Sequence, residues 1–308
     1  MQSSWDRSGL ILSFFLSILV IGIAVISARA HKSTGEKRVP ALKLNLSRSS
    51  PLDLEISGDL IGAPPGSTRY LPRAALLALP QVTYTVADDA NFKSPTQVSG
   101  VLLEVLVAAL SAAPKSDMVI AHCSDLYHAN YPRSYVSGHH PVLVLEISGK
   151  PPGEWPKDSE GYGLDMGPFL ISHAKFDPSF RVLSHSDEPQ IPWGVVGLEF
   201  RSEAKTYAAI APRGPRANSK QVQDGFRIAQ QNCFRCHNNG REGGQKAGRP
   251  WQVLAAWAGA SPEYFAAYVR NPKQKNPNSH MPGNPGYDDA TLQALTAYFR
   301  TFQFQEKP

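Results

Sequence analysis

Cysteine is scarce in this chain, with three among 308 residues. A dense disulfide framework is therefore excluded, and the odd count leaves at least one thiol unpaired. Charge is sparse too: 19% of residues are Asp, Glu, Lys or Arg, and the formal net charge is +5. There is no Lys/Arg block of the kind nucleic-acid-binding proteins carry, so that class of partner is excluded. No internal repeat is visible. The 26 prolines and 24 glycines are too many for an all-helical bundle and too aperiodic for collagen. What is present suffices for packed cores. Hydrophobic residues make up 42%, which excludes disorder of the whole chain, and the length accommodates one large domain or two ordinary ones.

The chain opens with an apolar run, Leu10 to Ile26, broken only by two serines and a glycine and free of charge. Arg7 precedes it, and Ala28-Arg29-Ala30 follows as a small-x-small cleavage pattern. Residues 1–30 read as a signal peptide or an N-terminal membrane anchor, the run being slightly long for the first and slightly short for the second. Either reading places the remainder outside the cytoplasm, in the periplasm or its equivalent. No Arg-Arg pair precedes the run, which favours export of an unfolded chain.

Composition divides the remainder. Residues 31–50 are polar and suit a tether, and 211–218, a Pro/Gly/Arg stretch, suits a linker. Within 51–210, Val82–Val86 alternates at period two, and Met118–Ala121, Val142–Ile147 and Trp193–Phe200 also read as strands. Val101, Leu102, Val105, Leu106 and Ala109 predict a helix. Strands dominate, so this domain is expected to be α+β. Residues 219–308 look all-α instead. Val222, Phe226 and Ala229 mark a first helix, and Ser261-Pro262-Glu263 starts a second with Tyr264, Phe265, Tyr268 and Val269 as its apolar face. Asp288 caps a third, faced by Leu292, Leu295, Phe299 and Phe302. Three short helices separated by long loops bury little, so something else should help fill their core.

Cys233-Phe-Arg-Cys236-His237 supplies that something. The C-x-x-C-H spacing sets two thiols about one helical turn apart, where each can add to a heme vinyl group, and the adjacent imidazole can reach the iron. A redox dithiol, a structural disulfide and half of a zinc site are the competing readings. A thioredoxin-type motif would follow a strand, whereas this one follows a predicted helix. A zinc site would need further ligands, and no cysteine lies downstream. The sixth iron ligand is expected to be Met281, the one methionine after the motif, in a Pro/Gly-rich loop; its soft thioether favours ferrous iron. His280 is the competing ligand.

Ser219 to roughly Phe304 resembles a class I cytochrome c domain. The resemblance rests on the helix leading into Cys233, Cys236 and His237, the Tyr264–Arg270 helix followed by Asn271-Pro272, the Met281-Pro282 loop and the closing helix. It implies a monoheme electron carrier with one covalent heme, ligated by His237 and Met281 and partly exposed at its edge. The middle domain looks like the molybdopterin-binding domain of sulfite-oxidase-like oxidoreductases. That likeness is carried by Leu54–Asp59, Tyr70–Pro80, Val98–Leu106 and the strand-like Asp125-Leu-Tyr127. The family's metal-binding cysteine should precede the 98–106 helix, yet Thr85 to Gly100 contains none, and Cys123 comes after it. The resemblance thus implies the fold without the molybdopterin.

His122, Cys123, His128, His139 and His140 invite a metal-site reading. Neighbouring strand residues point to opposite faces, so His122 and Cys123 could not share a metal without a bulge, and His139-His140 are expected in a loop. Packing and turn roles are expected of Trp155, Trp193 and Asp165-Met166-Gly167. From Ser219 onward there are 11 Lys/Arg against 6 Asp/Glu, while the preceding part carries 20 of each. The whole basic excess belongs to the heme domain, where it could steer acidic redox partners. The sequence thus points to an exported electron-transfer cytochrome with no residue assigned a catalytic role, its middle domain serving docking or structure. The alternative is an enzyme whose middle domain oxidises a small substrate and passes electrons to the heme.

Overall fold

Alternating and continuous apolar runs between residues 54 and 201 form strands, as their periodicity predicts. The computed structural model describes residues 42–110, 112–157, 163–176, 181–182, 185–186 and 188–303. The apolar run 10–26 and residues 31–41 of the tether lie outside these. Among the described residues no helix is long and apolar enough to cross a membrane.

The elements of the middle region are β1 (Leu54–Gly58), β2 (Arg69–Leu71), α1 (Arg73–Leu77), β3 (Val82–Val86), β4 (Thr96–Leu102), α2 (Leu103–Ala109), β5 (Met118–Cys123), β6 (His128–Pro132), α3 (Arg133–His139), β7 (Val142–Ile147) and β8 (Phe169–Ser172). They are followed by the short pair β9 (Arg181–Val182) and β10 (His185–Ser186), then β11 (Trp193–Arg201) and α4 (Glu203–Ala208). Among the described residues nine strands join one sheet in the order β2-β1-β11-β8-β7-β4-β3, with β5 pairing β11 and β6. All these pairings are antiparallel except that of β1 with β11. The register of β11 slips between Val195 and Gly197, so that β8 pairs its start and β1 its end while β5 pairs the opposite edge. Ile56 of β1, Val119 of β5, Leu143 and Leu145 of β7 and Leu198 of β11 pack with Leu103, Leu106 and Phe169 in one core, while Val142 and Val144 of β7 pack with Val86, Val98 and Leu170 in another.

Two expectations need correction here. The helix predicted from Val101 starts only at Leu103, because Val101 and Leu102 continue β4 and pair Leu143 and Val142 of β7. His139 and His140 do not lie in a loop. His139 is the last, buried residue of α3, and His140 caps that helix in the left-handed conformation, φ 47°.

After Ala208 the chain becomes helical: α5 (Lys220–Gln231), α6 (Trp251–Ala260), α7 (Pro262–Arg270), α8 (Pro272–Lys275) and α9 (Asp289–Arg300). The predicted three helices lacked α6 and α8. The all-round apolar α6 buries Trp251, Leu254, Ala255 and Ala258 and shows no clean polar face. Tyr264 proves 42% exposed, while Phe265, Tyr268 and Val269 form the buried face of α7 as expected. Asp288 accepts a hydrogen bond from Thr291 N at 2.8 Å, the expected cap of α9. α5 crosses α9 so closely that a Cβ on Gly225 would sit 2.1 Å from the Ala294 carbonyl oxygen. Around this crossing Trp251, Phe265, Leu295, Tyr298 and Phe299 form a second core, each large side chain contributing about 2–3 kcal/mol by burial. Residues 211–218 connect the two regions without regular structure, yet the described residues of both regions pack as one unit.

Candidate functional site

α5 begins at its Ser219 cap, whose hydroxyl accepts from Val222 N, and ends directly at the motif. Cys233–Arg235 form one tight 3-10 turn, closed by Cys236 N and His237 N donating to Cys233 O at 3.2 and 3.0 Å. Both thiols are thereby held on one turn and half-buried. Burial, reinforced by their mutual proximity, pushes the Cys233 thiol up to about 12. Burial likewise pushes Cys236 up to about 11. At neutral pH both are thiols, the form that adds across an alkene. The loop after the motif folds back on it: Gly244 N donates to Phe234 O at 3.0 Å and Ala247 N to Cys236 O at 3.0 Å. A Cβ on Gly244 would lie 1.8 Å from Arg235 O, so only glycine allows this approach.

His237 is buried, and burial lowers its basicity. Its Nδ1 lies 2.7 Å from Arg249 O. A carbonyl oxygen only accepts, so Nδ1 carries the hydrogen and Nε2 keeps its lone pair for a metal. Met281 is half-buried against the helical core, whereas His280 is exposed. The Met281 loop is anchored through buried Ser279, whose hydroxyl oxygen accepts from Met281 N at 3.2 Å and from Tyr268 OH at 3.0 Å. Arg249 Nη1 reaches Tyr268 OH at 3.5 Å. One polar path thus joins the segments that carry the imidazole and the thioether.

The middle region packs directly on the motif. The expected strand Asp125-Leu-Tyr127 is instead the turn between β5 and β6, with Leu126 at φ 68°. Leu126 O accepts from Gln245 N at 2.9 Å, and Asp125 Oδ2 pairs with Lys246 Nζ at 2.6 Å. Arg235, between the two cysteines, has its guanidinium beside the Tyr127 hydroxyl. Arg201 of β11 bridges Glu199 and, at 2.6 Å, Glu242 of the post-motif loop. Gln190 Nε2 donates to Gln231 O at 3.2 Å at the end of α5. Sequence reasoning missed Arg235, Arg249 and Tyr127 as neighbours of the motif. Arg249 acts through its backbone, which no side-chain pattern reports.

The histidine cluster divides between two places. His122 meets His128 at 3.0 Å and Glu199 at 2.9 Å, while Cys123 on the same strand turns into the core. Burial works against the Glu199 charge, but bonds from His122 and Arg201 hold it down to about 2. Burial depresses His128 to about 4. Farther off, Tyr135 bonds His173 Nε2 at 3.1 Å, and His139 stacks on Phe176. Among the described residues no group of three or more His, Cys, Asp or Glu could hold a metal. In the cysteine-free stretch 85–100, buried Asp89 bonds Ser172, and burial raises its carboxyl above the usual range. Trp155 and Met166 are buried, and the Asp165 carboxylate accepts from Gly167 N, the expected packing and turn roles.

No curated protein matches the chain. Among solved structures, the crystal structure of the sulfane dehydrogenase SoxCD from Paracoccus pantotrophus is similar at 15% identity and a TM-score of 0.33. The similarity covers 51% of this chain and 40% of that one, well under two thirds of its length. Residues 220–299 match the family described as cytochrome C oxidase, cbb3-type, subunit III. With the C-x-x-C-H turn closing α5 and α9 crossing that helix, residues 220–299 are a cytochrome c domain.

Proposed function

We propose that the chain is an exported c-type cytochrome that passes single electrons through one covalently held heme. The carrying observation is the donor set: two thiols on one turn, an imidazole whose Nδ1 is tied to Arg249 O, and a thioether in an anchored loop. These residues fit a heme. Cys233 and Cys236 would attach it through thioethers, and His237 Nε2 and the Met281 sulfur would be the iron's protein ligands. A bound heme supplies an iron that alternates between ferric and ferrous states without proton or group transfer. The chain's part is to hold that iron rigidly: the Arg249 carbonyl orients the imidazole, and Ser279 with Tyr268 positions the Met281 backbone.

The middle domain, 51–210 in this reading, serves as a docking or structural module, with 211–218 as linker and 219–308 as the heme domain. Its support is the direct packing of the β5–β6 turn on the motif. Molybdopterin has no cysteine to bind in 85–100, where Asp89 is instead tied to Ser172. The apolar run 10–26 and the habits of cytochrome c domains support an extracytoplasmic location, with or without retention of the N-terminus as an anchor. Partners are redox proteins, and the basic excess after Ser219 favours acidic ones. A second reading, an oxidoreductase feeding electrons from the middle domain to the heme, draws on two polar pairs, buried Asp89 with Ser172 and half-buried Tyr135 with buried His173. Coulometric titration with elemental analysis separates the two. One electron per chain with iron alone supports the first, and stoichiometric molybdenum with additional electrons supports the second. No redox-active iron at all rejects both.

A further inference from the structure

Arg235 occupies the position between the two heme-attaching cysteines, yet it faces the middle domain rather than solvent. Its Nε and Nη2 atoms are buried without a hydrogen-bond partner, and the guanidinium lies beside the Tyr127 hydroxyl. Glu188, which bridges to α5 through its backbone N–H to Gln231 Oε1 at 2.8 Å, is the carboxylate whose charge reaches it. Most other cations nearby are already balanced by partners: Lys246 pairs with Asp125, and Arg201 with Glu199 and Glu242. Leaving guanidinium N–H groups buried and unbonded costs stability that an apolar residue at this position would not incur. The charge therefore calls for a role beyond packing.

We infer that Arg235 is a positioning charge that raises the reduction potential of the heme, and that the middle domain tunes the potential by holding it there through Tyr127 and opposing it with Glu188. This rests on the heme reading above. The physical reason is elementary. Reduction lowers the charge at the iron by one, so a fixed cation beside the ring favours the ferrous over the ferric state. Water and salt would screen an exposed cation, but they screen a buried one far less. The middle domain is then part of the redox machinery.

The test uses the full-length, heme-loaded chain and reads midpoint potential by optical titration at low and high ionic strength. Arg235→Gln is expected to shift the ferric/ferrous equilibrium roughly tenfold toward ferric, about 59 mV lower for one electron. Arg235→Lys should retain most of the wild-type value, because it keeps the charge. Tyr127→Phe should lower the potential by less than Arg235→Gln, and Glu188→Gln should raise it. All shifts should persist at high salt. Wild-type potentials in both Arg235→Gln and Glu188→Gln, with heme content unchanged, would overturn the inference and leave the heme reading standing. Absence of covalent heme in the wild type would overturn both. Should Arg235→Gln fail to accumulate, the upward shift of Glu188→Gln decides alone, since loss of a structural contact does not predict its sign.

Discussion

His237 donates from Nδ1 to the backbone carbonyl of Arg249 over 2.7 Å. The same Arg249 reaches Tyr268 with its side chain, and Tyr268 bonds Ser279, two residues before Met281. The imidazole and thioether segments are therefore held by one chain of contacts. Met281→Ala is expected to abolish the methionine-to-ferric-iron charge-transfer band in the optical spectrum, while His280→Ala, at an exposed position, leaves it intact. Absence of that band from the wild type, with a spectrum altered by His280→Ala and not by Met281→Ala, would assign the ligand to His280.

Leu126 adopts φ 68° at an exposed turn position. A side chain in this region costs about 1–2 kcal/mol, which glycine avoids. Leu126→Gly should raise unfolding free energy by about 1 kcal/mol in chemical denaturation, after the greater flexibility of glycine in the unfolded chain is deducted. It should do so without disturbing Gln245 N to Leu126 O, which is a backbone bond.

Much of this was legible before any coordinates. Val82–Val86, Val142–Ile147 and the Asp288 cap follow from local patterns that tertiary packing merely confirms. Cys233, Cys236 and His237 were candidates because covalent attachment demands a fixed spacing, and Met281 because no other methionine follows the motif. Other features depend on the fold. Val101 and Leu102 carry helical spacing, but pairing with β7 claims their backbone for the sheet. α6 escaped notice because its exposed positions Ala256 and Ala260 are apolar too, so the helix has no amphipathic signature. Nothing in the sequence marks Arg235, whose neighbour Tyr127 in the β5–β6 turn lies 108 residues earlier in the chain. Contacts at such separation leave no mark on local sequence.

The crossing of α5 and α9 sets up the motif from behind. Gly225→Ala would drive a methyl group into the Ala294 carbonyl, and a cost of about 3 kcal/mol is expected. Asp288→Ala, which removes only the cap bond to Thr291, should cost about 1 kcal/mol. Thermal unfolding of the two variants should rank them in that order, and Gly225→Ala should also lower the yield of heme-loaded protein.

Acid should loosen the middle region. Burial depresses His173 to about 3, below its unfolded value near 6.5. The folded chain then binds fewer protons than the unfolded one throughout that interval. Its contribution is full above about pH 6.5 and is lost as pH falls toward about 3. Lowering pH from about 6.5 to about 5 should remove roughly 2 kcal/mol through this one group. His173→Gln, which can still meet Tyr135, should flatten the pH dependence of urea unfolding by that amount. An unchanged slope would show that His173 titrates normally.

The account stands or falls on how the heme is held. The most direct measurement is the intact mass of the fully denatured chain, matured where heme is covalently attached. The predicted result is the polypeptide plus one heme in the wild type, with none retained in a Cys233→Ala, Cys236→Ala double variant. A wild-type mass equal to the bare polypeptide, or heme retained by the double variant, would contradict it.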